Sequence, residues 1–184
     1  MIDRILRIVK LDFSVFEDIE RDPNATLEAG IVVVLVSLLS AIGTALRSDA
    51  PLSVAAAFAM SFVSGLVGWL VWSTVTYYVG KILYQSGATL ATMLRVLGYA
   101  TAPRALGVLD FIPCFGALAG LAGLILSLVA GIMAVSEGLE VDTGQAIIVV
   151  MIGGIALFIV TAVIGTLFGG AALLTFGLCA AWSR

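Results

Sequence analysis

A chain of 184 residues that is 61% hydrophobic, with a mean hydropathy of +1.18, cannot hide its apolar surface in a soluble core of this size. Only 11% of its residues are charged, against about 25% in an ordinary soluble domain. The net charge of −3 comes without a basic cluster, which argues against a nucleic-acid partner, and the absence of histidine removes the commonest haem ligand and the usual near-neutral proton carrier. The expected class is all-α: a polytopic membrane helical bundle of about five transmembrane helices with an N-terminal amphipathic helix.

The chain divides into a cytoplasmic or interfacial N-terminal segment, residues 1–28, and a transmembrane domain, residues 29–184. In the first, Ile2, Ile5, Leu6, Val9, Phe13 and Phe16 recur at helical spacing on one face, with Asp3, Arg4, Arg7, Lys10 and Glu17 on the rest of the wheel. Such a face fits either the membrane interface, with the basic half near anionic headgroups, or the protein's own spans. Asp22-Pro23-Asn24 breaks the pattern, and Thr26 with Glu28 introduces the next helix. Charges as far as Glu28 before any long apolar run do not fit a cleaved signal peptide.

Apolar spans are expected at about 29–46, 52–83, 90–112, 115–135 and 145–168, followed by an apolar tail that either extends the fifth helix or re-enters. The second is long for one crossing and must tilt or protrude. Trp69, Trp72, Tyr77, Tyr78, Lys81 and Tyr84 mark its far end as an interfacial anchor. Cys114 and Cys179 lie in apolar surroundings, far apart in sequence, and read as small buried hydrophobes. Arg4, Arg7, Lys10, Arg21 and Lys81 fall on the N-terminal side, Arg47 and Arg184 on the other, so the N-terminus is expected in the cytoplasm.

The third span is the unusual one, because it carries Arg95, Pro103, Arg104 and Asp110. An arginine at mid-membrane costs about 2.5–3.5 kcal/mol on insertion scales, so two in one span need partners. Arg95, Tyr99, Pro103, Leu106 and Asp110 follow one another at helical steps, with Arg104 on the opposite side. Pro103 has no N–H to donate and frees the carbonyl of Tyr99, which implies a kink. The seam reads either as a binding site for a partner, a lipid headgroup or an ion, or as charges that snorkel to the two surfaces and pair internally. In the fourth span Gly116, Gly120, Gly123, Ser127 and Gly131 trace a face without large side chains, suited to close helix packing within the bundle or against another protein.

Arg95-Val96-Leu97-Gly98-Tyr99-Ala100-Thr101-Ala102-Pro103 resembles the Gly-Tyr-x-x-x-Pro signature of the Ypt-interacting-protein (Yip) family. That family also has about five spans, a cytosolic N-terminus and a small-residue fourth span after a proline break. The likeness runs from about Leu11 to Leu167, and residues 12–29 resemble prokaryotic members. It implies a membrane scaffold or adaptor; eukaryotic members associate with Rab-type GTPases, with one another, and with vesicle traffic and membrane shaping. This chain departs from them in its short pre-membrane segment without an Asp-Leu-Tyr-Gly-Pro motif, which counts against GTPase binding. For the prokaryotic branch the resemblance implies a fold and no established activity.

The expected function is therefore a non-enzymatic interaction protein, a scaffold or accessory subunit in a bacterial cytoplasmic membrane. Its expected partners are membrane lipids and other integral membrane proteins or a second copy of itself. Residues Arg95, Gly98, Tyr99, Pro103, Arg104 and Asp110 are the candidate partner seam, and no cofactor, metal or catalytic group is expected. The alternative is a small transporter or channel using the broken third span, although no second broken span matches it. An enzyme ranks third, because the spans hold neither paired acids nor a histidine to activate a hydroxyl.

Overall fold

A computed structural model describes residues 1–46, 51–112 and 115–167. Arg47, Pro113, Cys114, Cys179, Arg184 and the tail from residue 168 lie outside the described residues, as does the side chain of Asp110. The described elements are helical throughout: α1 (Ile2–Val9), α2 (Val15–Arg21), α3 (Ala25–Leu46), α4 (Pro51–Tyr84), α5 (Leu90–Ala100), a 3-10 segment (Ala102–Phe111), α6 (Phe115–Leu139) and α7 (Thr143–Leu167). Among them α3, α4, α6 and α7 are long and apolar enough to cross a membrane. The chain is an all-α polytopic membrane bundle.

The long helices stack through small residues. A Cβ on Gly65 of α4 would run into Ser37 of α3, and one on Gly153 of α7 would meet Thr76 and Trp72 of α4 at 3.0 Å. Gly131 of α6 faces the ring of Trp72, and Gly80 of α4 faces Leu139 at the end of α6. These levels run α4 antiparallel to α3 and α7 and parallel to α6. The start of α3, the end of α4, the end of α6 and the start of α7 thus share one end of the bundle.

The expected third span is not one helix. The α-helix stops at Ala100, and Pro103 opens a 3-10 run, since a residue without an N–H is tolerated in a first turn but not in a helix interior. Together the two pieces run between α3 and α6. Gly98 lies beside Ala29, and Gly107 beside Ser40 and Gly43. On the other flank Met93 lies beside Gly138, the Ala100 carbonyl accepts a 2.8 Å hydrogen bond from Ser127, and Pro103 lies beside Gly123.

The N-terminal segment also differs from a single amphipathic helix. It folds as two short helices, broken where Leu11 takes a left-handed φ of 64°. The turn is tied by Arg7, which reaches Asp12 (2.8 Å), Asp18 (3.1 Å) and Ser14 (2.9 Å). The buried face is Ile8, Val15, Phe16 and Ile19, while Ile2, Leu6 and Val9 point away from the protein, each at least half exposed. These side chains share one core with Met93, Val96, Leu97, Tyr99, Val135 and Leu139.

Candidate functional site

Two polar groups of the broken segment, Arg95 and Tyr99, converge on the N-terminal helices, which form a platform at that end of the bundle. From α5, Arg95 donates through Nη1 to the carbonyls of Glu20 (2.7 Å) and Asp22 (3.1 Å), and through Nε to Thr26 Oγ1 (3.0 Å). Both carbonyls belong to the end of α2, where helical oxygens have lost their intrahelical donors. A guanidinium is well matched to them, because its fork of N–H groups meets several acceptors while its charge opposes the helix dipole.

One turn further, Tyr99 is fully buried and its hydroxyl donates to the Glu28 carboxylate. The same carboxylate takes Arg4 Nη1 at 3.0 Å and the amino terminus at 3.4 Å. Arg4 Nη2 closes on Asp22 at 2.8 Å. Arg4 thus bridges α1 to the α2–α3 turn and to α3, and hydrogen bonding to it holds the Asp22 carboxyl below the usual range. The Asp12 carboxyl is lowered in the same way by Arg7.

Gly98 and Pro103 shape the backbone around this clamp. A Cβ on Gly98 would stand 2.8 Å from the Ala29 Cβ and 3.3 Å from Trp69 Nε1, so only glycine lets α5 close on α3. The Trp69 indole donates to the Leu94 carbonyl (3.1 Å), which ties α4 to the same turn.

Among the described side chains, the positions expected to share one seam do not share one face. Arg95 and Tyr99 face the platform, Pro103 lies against α6, and Leu106 is exposed. The reason is the change of period at Pro103, from 3.6 residues per turn to 3.0, which rotates everything downstream. Arg104 is half-buried on the 3-10 segment and makes no side-chain hydrogen bond or ion pair with the described residues. On α6, Gly116, Gly123, Ser127 and Gly131 are buried against the rest of the chain. Gly120 is the exception, with open space where its Cβ would be.

Sequence reasoning read Asp22 as a break in the pattern and Thr26 with Glu28 as the start of the next helix, and missed all three as acceptors of the clamp. The available signal was a glutamate in the first turn of an apolar span, which needs a cation or donor close by. A second acidic group is also new. Glu20 and Glu140 line a shallow cavity of about 180 Å³ with Gly87, Ala88, Thr89, Thr92 and Gly138. Burial, and then Glu140 and Glu137, push the Glu20 carboxyl up. Among the described residues no set of acidic or cysteine side chains is arranged to hold a metal.

No curated protein and no solved structure matches this chain. The Yip1 domain matches residues 12–165, from the turn between α1 and α2 to within two residues of the end of α7. That range includes the Gly98-Tyr99 turn, the break at Pro103 and most of the clamp, and the chain belongs to the Yip1-domain family of membrane proteins.

Proposed function

We propose that this protein is a non-enzymatic membrane scaffold or accessory subunit of a membrane complex. The broken segment makes a fifth crossing, and the platform faces the cytoplasm of a bacterial cell. One observation carries the reading: Arg95, the most deeply engaged charge of the broken segment, is committed to the end of α2 and to Thr26 rather than to a passage through the bundle. The clamp holds α1 and α2 in a fixed pose at the end of the bundle, which suits display to lipids or to another protein. The family is a membrane family not known for catalysis, which supports the same reading. Arg4, Arg7, Lys10, Arg21 and Lys81 lie at the platform end, in keeping with a cytoplasmic location.

Purification in mild detergent followed by native mass spectrometry tests the proposal. A stoichiometric partner or a second copy is expected to stay bound to the wild type and to be lost from Arg95→Ala. In reconstituted liposomes neither Arg95→Ala nor Asp110→Ala is expected to change ion or solute flux. A substrate-dependent flux abolished by Asp110→Ala at unchanged thermal stability would establish the transporter reading instead.

A further inference from the structure

Arg104 is the one arginine of the broken segment for which the described residues supply no partner. Its depth is set by its neighbours. Gly107, three residues on, touches Gly43, which is three residues before the end of α3. At about 2.0 Å per residue in a 3-10 run and 1.5 Å in an α-helix, the Arg104 backbone sits on the order of 10 Å inside the end of α3. The sequence that follows Leu46 continues with the polar residues Arg47, Ser48 and Asp49, which sets the headgroup level near that end of α3. An extended arginine covers most of that distance, with its stem along apolar surface and its guanidinium near the headgroup level.

The described carboxylate side chains offer nothing to pair with it. Asp3, Asp12, Glu17, Asp18, Glu20, Asp22, Glu28, Glu137, Glu140 and Asp142 are on the platform, in the first turn of α3 or in the α6–α7 connection, at the other end of the bundle. Among the described residues this partly buried side chain therefore has no acceptor, and an anion from outside the chain would supply one.

We propose that Arg104 holds the phosphate of an anionic phospholipid in the leaflet away from the platform. A phosphate matches the planar fork of a guanidinium in charge and shape, and a lipid brings it to this depth without a second protein. A net negative lipid is preferred to a zwitterionic one, whose own ammonium competes for the phosphate. The proposal rests on the fifth crossing described above, which reporter fusions after Gly87 and Val141 test separately. Correct topology with a failed lipid test would sink this site alone.

The test titrates phosphatidylglycerol or phosphatidylcholine into detergent-purified protein and reads the thermal midpoint and the lipid retained in native mass spectrometry. Wild type and Arg104→Lys should favour phosphatidylglycerol by about tenfold, the equivalent of one charge-assisted hydrogen bond, and Arg104→Gln should lose that preference. Asp110→Asn should keep it, and inorganic phosphate should give no shift. A preference that survives in Arg104→Gln would overturn the proposal. So would its loss in Asp110→Asn, which would make Arg104 part of an internal pair. An equal response to inorganic phosphate would replace the lipid with a free anion. A wild type indifferent to both lipids, with a partner complex broken by Arg104→Gln, would assign the guanidinium to another protein's carboxylate.

Discussion

Single atoms decide how closely the broken segment approaches its neighbours. At Gly123 an added Cβ would stand 2.9 Å from the Pro103 carbonyl oxygen and 3.5 Å from the Arg104 Cα. The first of these is main chain and cannot swing aside, so the helices must part. Gly123→Ala is expected to cost about 1–3 kcal/mol, in the range for overpacked interiors. The same change at Gly120, where nothing stands within 4 Å, should be close to neutral. Thermal midpoints of the two variants in detergent check the contrast, and equal midpoints would remove the close-contact argument. The stripe on α6 was legible in the sequence because small residues at steps of three and four have few other uses in a lipid-soluble helix. That Gly120 falls off it was not, since residues a turn apart differ in surroundings that only the neighbouring segment defines.

At the level of elements, the platform joins the bundle through apolar burial and through charges with opposing pH responses. Asp12 and Asp22 have lowered pKa values, so their contribution is present above the ordinary aspartate range and is lost as pH falls through their folded values. Glu20 has a raised value, so its contribution is complete below the ordinary glutamate range and is lost as pH rises past its folded value. The platform should be held tightest between those limits, in mild acid. Amide exchange in residues 2–21, corrected for its intrinsic pH dependence, should show protection falling on both sides. Glu20→Gln should remove the loss on the neutral side and leave the loss in acid. Two short helices in place of one were not legible, because the i, i+3, i+4 pattern of apolar residues runs through the break. The inversion of faces follows from it: a restart after Leu11 presents Val15, Phe16 and Ile19 to the core and leaves Ile2, Leu6 and Val9 outside.

For the whole molecule, the order of elements was written in the hydropathy and the turn residues, and the starts and ends of the long helices lie within about four residues of the expected spans. Pro103 announced a break. What no single segment contained was the pairing of the two most polar regions, since Arg95 and its acceptors are separated by 69 to 75 residues of chain. The same arrangement predicts topology. The connections at residues 85–89 and 140–142 lie at the platform end, joined by Ser86 Oγ to the Leu139 carbonyl at 2.9 Å. Reporter fusions after Gly87 and after Val141 should therefore both read cytoplasmic. An exported signal from either would break the five-crossing order.

The separation of Arg95 from the end of α2 also sets a sequence of events during synthesis. The platform emerges first, yet the side chain that fastens it is made 75 residues after the Glu20 carbonyl it holds. At roughly 5–20 residues per second, α1 and α2 wait about 4 to 15 seconds for their dock. Through that interval Phe16 and Ile19 lack Met93, Val96 and Leu97, the part of their core that α5 supplies. The arrival of α5 thus completes the attachment of the N-terminal helices, which are made first and fastened late.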